Sequence, residues 1–290
     1  MTPPIATLAV IGSGVMGRGI AQAAALAGCR VILYDIDQAI LDAALTRIRA
    51  SIDKGVRLGK TDPQIAERAK EAFLLTTQLP RAAQADLIIE AAPENLEIKR
   101  GIFRELDAHA PATTLFASNT SSLSITALAA VTQRPQRFLG LHFFNPAHIM
   151  RLVEVIRGDF TSAETLETGV DFVRRLGKTP IVCQDTPAFI VNRVARPFYG
   201  EALRILGEGQ ADVPTIDRLM ESIGFRMGPF RLIDLIGSDV NFAVTKSVYE
   251  AFFHDPKYRP HPIQQKMVES GRLGRKSGVG FYDYREKRPT

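Results

Sequence analysis

Two consecutive apolar runs of this 290-residue chain each carry one ionisable side chain: His142 in "RFLGLHFFNP" and Glu154 in "RLVEVI". The segment joining them is short enough for the runs to pair side by side, with imidazole facing carboxylate. A carboxylate bonded to one ring nitrogen fixes the tautomer and frees the other nitrogen to accept a proton. That arrangement suits oxidation of an alcohol, in which a base takes the hydroxyl proton while a dinucleotide takes the hydride. The spacing fits a structural reading equally well, with a core histidine bonded to backbone and an edge-strand carboxylate in solvent.

A second constellation opens the chain. "LAVIGSGVMGRGIAQAAALAG" reads as strand, tight turn and helix, with Gly12, Gly14 and Gly17 in the G-x-G-x-x-G spacing. Gly12 permits the turn, Gly14 lets a diphosphate approach the backbone, and Gly17 allows close helix packing. Val15 and Met16 begin the helix, whose free N–H groups and dipole favour an anion. The next strand, "VILYD", ends on Asp35, where a carboxylate bonds the adenosine ribose hydroxyls and repels a 2′-phosphate. The cofactor expected is therefore NAD rather than NADP.

These residues need elements to hold them. Up to about residue 185, short β-rich runs ("ATLAVIG", "VILYD", "AFLLTT", "ADLIIEA", "TLFAS", "RFLGLHFF", "RLVEVI", "TPIVC") alternate with helical patterns. That order predicts βαβ units on a mainly parallel sheet. Beyond "DTPAF" the pattern becomes long helical segments, "FIVNRVARPFYGEALRILGEG", "VPTIDRLMESIG" and "LIDLIGSDVNFAVTKSVYEAFF". The fold class expected is α/β: an N-terminal Rossmann-type dinucleotide-binding domain over residues 1–186, then a smaller all-α domain over 187–290.

Composition narrows the function. The net charge of +5 is spread among interspersed acids and bases, so small phosphorylated ligands fit better than nucleic acid. Two cysteines and five histidines make no disulfide framework and no metal-ligand spacing, so no metal is expected. The first apolar run is too short to span a membrane and passes straight into the glycine motif. A cytoplasmic protein without membrane association is the expectation.

The chain resembles the 3-hydroxyacyl-CoA dehydrogenases, and within them the bacterial short-chain type acting on 3-hydroxybutyryl-CoA or 3-hydroxyadipyl-CoA. The likeness runs through "IGSGVMGRGIAQ", "ENLEIK", "SNTSSLSI", "GLHFFNPAHIMRLVEVI", "DTPAFIVNR", "MGPFRLIDLIG" and "GRLGRKSGVGFYDY", nearly the whole chain. It implies His142 as catalytic base and Glu154 as its orienting partner. Ser121 and Asn192 would bond the substrate oxygen, with Asn145 a further active-site amide. Glu94, Lys99 and Asn119 would join Gly12, Gly14, Val15, Met16, Gly17 and Asp35 at the cofactor, with Glu94 and Lys99 facing its nicotinamide end. Taken alone, Ser121 reads as a cap, Asn145 as a turn residue, Asn192 as a polar helix position, and Glu94 and Lys99 as solvated charges. With Asn192 in the second domain, the resemblance also implies a site completed by domain closure, and a homodimer through that domain.

The charged stretch from Asp37 to Lys70 carries Arg47, Arg49, Lys54, Arg57, Lys60, Arg68 and Lys70, and would meet the nucleotide end of CoA unless it is merely a solvated helical pair. In the family a serine and a lysine seven residues later contact CoA there. Ser51 matches the serine, but Leu58 stands at the lysine position, so Arg57 or Lys60 is expected to supply the charge. Two other departures are His148, expected in solvent, and Ala188, where glycine is usual. Competing readings are a dehydrogenase of a free sugar acid such as L-gulonate and a non-catalytic NAD-binding protein. The basic stretch and unbroken "HFFNP" and "LVEVI" speak against the first, and the joint presence of His142, Glu154, Ser121 and Asn192 against the second.

Overall fold

The computed structural model describes residues 5–285, which form two compact units, the first ending at Phe189 and the second beginning at Ile190. The first unit is built on one eight-stranded sheet in the order β3-β2-β1-β4-β5-β6-β7-β8. Its strands are β1 (Thr7–Ile11), β2 (Arg30–Tyr34), β3 (Phe73–Thr76), β4 (Leu87–Glu90), β5 (Leu115–Ser118), β6 (Phe138–Phe143), β7 (Leu152–Arg157) and β8 (Thr179–Gln184). All neighbours are parallel except β6 and β7. The chain runs outward from β1 to β3, then crosses back to β4. This reversal beside β1 is the switch point at which open α/β sheets bind ligands.

The central strands are continuous apolar runs because both faces of the sheet are covered. On β1, Leu8 and Val10 join one core while Ala9 and Ile11 join the other. The first core is closed by α1 (Val15–Leu26), α2 (Gln38–Arg57), α3 (Pro63–Glu71) and α7 (Ala163–Arg175). The second is closed by α4 (Leu79–Ala82), α5 (Leu96–His109) and α6 (Ile125–Ala129). There Phe103 meets the rings of Phe138 and Phe116 edge-on at 4.6 and 6.0 Å. Burying each such ring stabilises the fold by roughly 1.5–3 kcal/mol. Helix starts are set by short polar caps: Asp37 accepts from Ala39 N–H, Asp62 from Gln64 and Ile65, and Asn95 from Glu97 and Ile98.

The second unit is helical, comprising α8 (Val191–Gly207), α9 (Val213–Ser222), α10 (Pro229–Ile236), α11 (Ser238–Ala251) and α12 (Pro262–Glu269). Tyr199, Leu203, Ile216, Phe230 and Ile233 form its core. The run "LIDLIGSDVNFAVTKSVYEAFF" reads as one helical segment but is two helices, broken at Gly237, whose φ of 105° belongs to glycine. The C-terminal "GVGFYDY" motif is structural. The buried Asp234 carboxylate accepts from Phe281 N–H (2.9 Å), Tyr282 N–H (3.0 Å) and the Tyr284 hydroxyl (3.1 Å). No helix among the described residues is long and apolar enough to cross a membrane.

Candidate active site

The glycine loop follows β1 at the carboxyl edge of the sheet. Gly12 has φ 99°, and a Cβ there would lie 2.7 Å from the Ala91 carbonyl oxygen. A Cβ at Gly17 would fall 1.8 Å from the Gly12 carbonyl oxygen, so the first turn of α1 can sit against the loop only as glycine. Gly14, the N-cap of α1, makes no side-chain cap, and a Cβ on it would meet open space. Val15 and Met16 follow it in the first turn. Unpaired helix N–H groups behind an open approach are what a dinucleotide diphosphate requires. Asp35, just past β2, accepts from Ser13 N–H (2.8 Å), the Ser13 hydroxyl (2.7 Å) and Ile36 N–H (2.8 Å). Its carboxylate is thereby fixed beside the loop with lone pairs remaining for ribose hydroxyls. The residues present fit NAD.

A buried charge network spans the neighbouring strand ends. Glu90, the fully buried last residue of β4, accepts from Lys99 Nζ at 2.5 Å, Ala92 N–H at 2.7 Å and the Ser118 hydroxyl at 2.6 Å. Lys99 also lies 3.3 Å from Glu94, whose Oε1 accepts from the Thr120 hydroxyl (2.7 Å), Ser121 N–H (2.8 Å) and the Ser121 hydroxyl (3.1 Å). Burial pushes the Glu90 carboxyl up, against the opposing pull of Lys99. For Glu94 the same desolvation is outweighed by Lys99, Thr120 and Ser121, and its carboxyl is held low. Asn119 donates N–H to the Glu90 carbonyl and accepts from Phe143 N–H at 2.9 Å, tying the end of β5 to β6. Sequence reasoning missed Glu90 and Ser118. The available signal was a carboxylate closing the otherwise apolar "LIIE".

His142 and Glu154 are directly opposed across the antiparallel β6–β7 pair, with His142 Nδ1 2.7 Å from Glu154 Oε2. Both side chains are buried. The imidazole is flanked by the rings of Phe144 (4.5 Å) and Phe189 (5.9 Å). Phe189 and Ala188 both have positive φ, 50° and 66°. Glycine is the residue that adopts this region without strain, so Ala188 holds a conformation that favours glycine. Asn192 lies in the first turn of α8, in the second unit.

Ser51, on α2, lines a cavity of about 200 Å³ with Arg18, Gln22, Arg47, Asn145 and His148. Arg57 and Lys60 are exposed and do not line it. Four residues apart on α2, Arg47 and Ser51 are neighbours, whereas Arg57 is six past Ser51 and turned to another side. His148 is exposed yet edges this cavity; burial and then Lys178 push its imidazole down, toward the neutral form.

The sheet order, glycine loop and fixed acid after β2 together define a Rossmann-type dinucleotide-binding protein, with a histidine–carboxylate pair at the edge where such folds do chemistry. The chain belongs to the 3-hydroxyacyl-CoA dehydrogenase family: residues 7–186 match the family's NAD binding domain and residues 189–284 its C-terminal domain. It is 49% identical to a 3-hydroxyadipyl-CoA dehydrogenase of Escherichia coli (strain K12) over 98% of this chain, but spans only 60% of that relative's length. It is 43% identical to a 3-hydroxybutyryl-CoA dehydrogenase of Bradyrhizobium diazoefficiens, covering 100% of this chain and 99% of the relative. The crystal structure of a 3-hydroxybutyryl-CoA dehydrogenase from Escherichia coli K12 superposes with a TM-score of 0.95 at 48% identity, over 99% of this chain and 61% of that one.

Proposed function

We propose that the protein is an NAD-dependent dehydrogenase interconverting L-3-hydroxyacyl-CoA and 3-oxoacyl-CoA, with 3-hydroxybutyryl-CoA or 3-hydroxyadipyl-CoA as substrate. The observation that carries this reading is the buried 2.7 Å contact between His142 Nδ1 and Glu154 Oε2. With Glu154 ionised, the imidazole donates from Nδ1 and keeps the Nε2 lone pair for the substrate hydroxyl proton. The resulting imidazolium then faces a carboxylate with little water to screen it. Bound NAD supplies the acceptor for the hydride leaving the substrate carbon. Gly12, Gly14 and Gly17 with Val15 and Met16 would hold its diphosphate, Asp35 its adenosine ribose, and Glu94 and Lys99 its nicotinamide end, with Asn119 a further cofactor-binding residue. Ser121 and Asn192 serve as ligands of the substrate oxygen, and Asn145 as a further amide of the site. The enzyme is read as a cytoplasmic homodimer formed through the second unit, where Leu219, Ile223, Phe225 and Phe253 are exposed.

The direct test is NADH oxidation followed by absorbance with acetoacetyl-CoA as acceptor. Turnover is expected, and its absence from folded protein overturns the reading. Cofactor choice depends on Asp35. Asp35→Ala removes the ribose acceptors, and the loss of hydrogen bonds to a charged group lowers kcat/KM for NAD by about 10–100-fold. It also removes the repulsion of a 2′-phosphate, so the NAD to NADP ratio of kcat/KM narrows. Equal use of both cofactors by the unmodified protein would defeat this assignment.

A further inference from the structure

The buried positions of α8 are Arg196, Tyr199, Ala202 and Leu203, one stripe at helical spacing. Packing asks for an apolar side chain at each, yet the first is an arginine only 5% exposed. Its Nη1 donates to the Asn241 carbonyl and to the Thr245 hydroxyl oxygen at 3.1 Å each, and its Cζ lies 4.9 Å from the centre of the Tyr199 ring. These partners are all neutral. Among the described residues no carboxylate acts on this guanidinium, and burial, opposed by Tyr199, pushes its pKa down to about 10, so it stays charged at neutral pH. A buried cation is costly to desolvate unless an anion offsets the loss of water.

The face of α11 that it meets is polar as well. Ser238, Asn241 and Thr245 lie on one side of that helix, and all three are buried. From α12, the buried Gln264 donates to Asn241 Oδ1 at 2.8 Å and to the Thr245 hydroxyl oxygen at 3.3 Å. The Asn241 amide is thereby fixed with its oxygen engaged, which leaves Nδ2 as a donor. Arg196 Nε, Asn241 Nδ2 and the Ser238 hydroxyl have no hydrogen-bond partner. A guanidinium, an amide N–H and a hydroxyl left unsatisfied in one buried region are the complement of a carboxylate.

From this geometry we infer that Arg196, with Asn241 and Ser238, is the receptor for a carboxylate at the far end of the acyl chain, which makes a dicarboxylic acyl-CoA such as 3-hydroxyadipyl-CoA the preferred substrate. The inference deepens the thioester reading above and rests on it, and on Asn192 as a ligand of the substrate oxygen. Asn192 precedes Arg196 by four residues, so the two share a side of α8 about 6 Å apart along its axis. In a 3-hydroxyadipyl chain three carbon–carbon bonds separate the oxygen-bearing C3 from the terminal carboxylate, a comparable span. A 3-hydroxybutyryl chain ends in a methyl group one bond past C3 and offers the guanidinium no charge.

The test measures kcat/KM of the full-length protein for L-3-hydroxyadipyl-CoA and L-3-hydroxybutyryl-CoA at saturating NAD, with melting curves for every variant. The unmodified protein is expected to prefer the dicarboxylic substrate by about 10–100-fold, the effect of a charge-assisted bond that the shorter chain cannot make. Arg196→Met should abolish that preference, and Arg196→Lys should keep part of it, because the cation remains while the planar donor fork is lost. Asn241→Asp keeps an acceptor for Gln264 and sets an anion beside Arg196, so its melting temperature should hold while the preference disappears. Equal kcat/KM for the two substrates in the unmodified protein overturns the inference. So does an Arg196→Met variant that loses activity on both substrates alike with their ratio preserved, since Arg196 would then only join α8 to α11. Should Arg196→Met fail to fold, Asn241→Asp decides, and an unchanged ratio in it overturns the receptor. Failure of the unmodified protein to turn over either substrate or acetoacetyl-CoA is a separate result, which defeats the thioester reading and the receptor together.

Discussion

Replacing His142 with alanine is expected to lower kcat for oxidation of L-3-hydroxybutyryl-CoA by roughly 10²–10⁴, the contribution of a positioned general base. NAD affinity measured by calorimetry should stay within about twofold, because the glycine loop and Asp35 are held by bonds that do not involve the imidazole. Glu154→Gln separates orientation from charge. The amide oxygen can still accept from Nδ1–H across the 2.7 Å gap, so the ring stays aimed, yet the imidazolium formed during oxidation loses its counter-charge in a buried site. That variant should therefore lose kcat with KM little changed, the mark of an interaction realised in the transition state. A pair that only tied β6 to β7 would behave differently, since both variants would lower the melting temperature while turnover per folded molecule held. Wild-type kcat in either variant returns His142 and Glu154 to that structural role.

What could be read from residue order follows from range. The glycine loop, Asp35 and the His142–Glu154 pairing are set by neighbours along one strand–turn–helix or one pair of adjacent strands, and their residue types and spacings carry the geometry directly. The eight strands were legible for the same reason, since each is a compact apolar run between turn signals. Lys99 shows where this stops. In "ENLEIK" it reads as a solvated charge at a helix start, yet it is 1% exposed, because α5 lies over the end of β4 and delivers the ammonium to Glu90. That partner is nine residues away, and their meeting depends on tertiary packing. On the charged stretch, too, position along the chain and position in the fold differ. Arg57 and Lys60 lie close to Leu58 in the chain, whereas the lining of the cavity beside Ser51 is set by helical phase and by α1, which brings Arg18 and Arg47 to it. The break at Gly237 is subtler still, because "DLIGSDV" keeps an apolar pattern on both sides of the glycine.

Removing the cation from the buried network should have the largest effect on stability. In Lys99→Met the fully buried Glu90 keeps its bonds from Ala92 N–H and Ser118 but loses its counter-charge 2.5 Å away. Breaking one side of a buried ion pair costs about 3–5 kcal/mol. In a protein of this size the melting temperature should fall by on the order of 10 °C. The deficit should depend on pH with a definite sign. Burial already pushes the Glu90 carboxyl up with Lys99 in place, and without it the folded value rises further. A carboxyl raised above its unfolded value leaves stability intact below the unfolded pKa and loses it as pH rises through the folded one. Lys99→Met should accordingly come nearest to the unmodified protein in mild acid and fall furthest behind at neutral and alkaline pH. Adding Glu90→Gln removes the stranded charge, its amide oxygen accepting from Ala92 N–H while its NH2 donates to the Ser118 hydroxyl oxygen, so the double variant should recover most of the loss at pH 8. NAD affinity need not recover with it, because Glu94, which holds Thr120 and Ser121, has also lost its cation. A deficit that is flat from pH 5 to pH 8, or a double variant no more stable than Lys99→Met, would show that Lys99 stabilises the unit by packing its methylene chain rather than by charge.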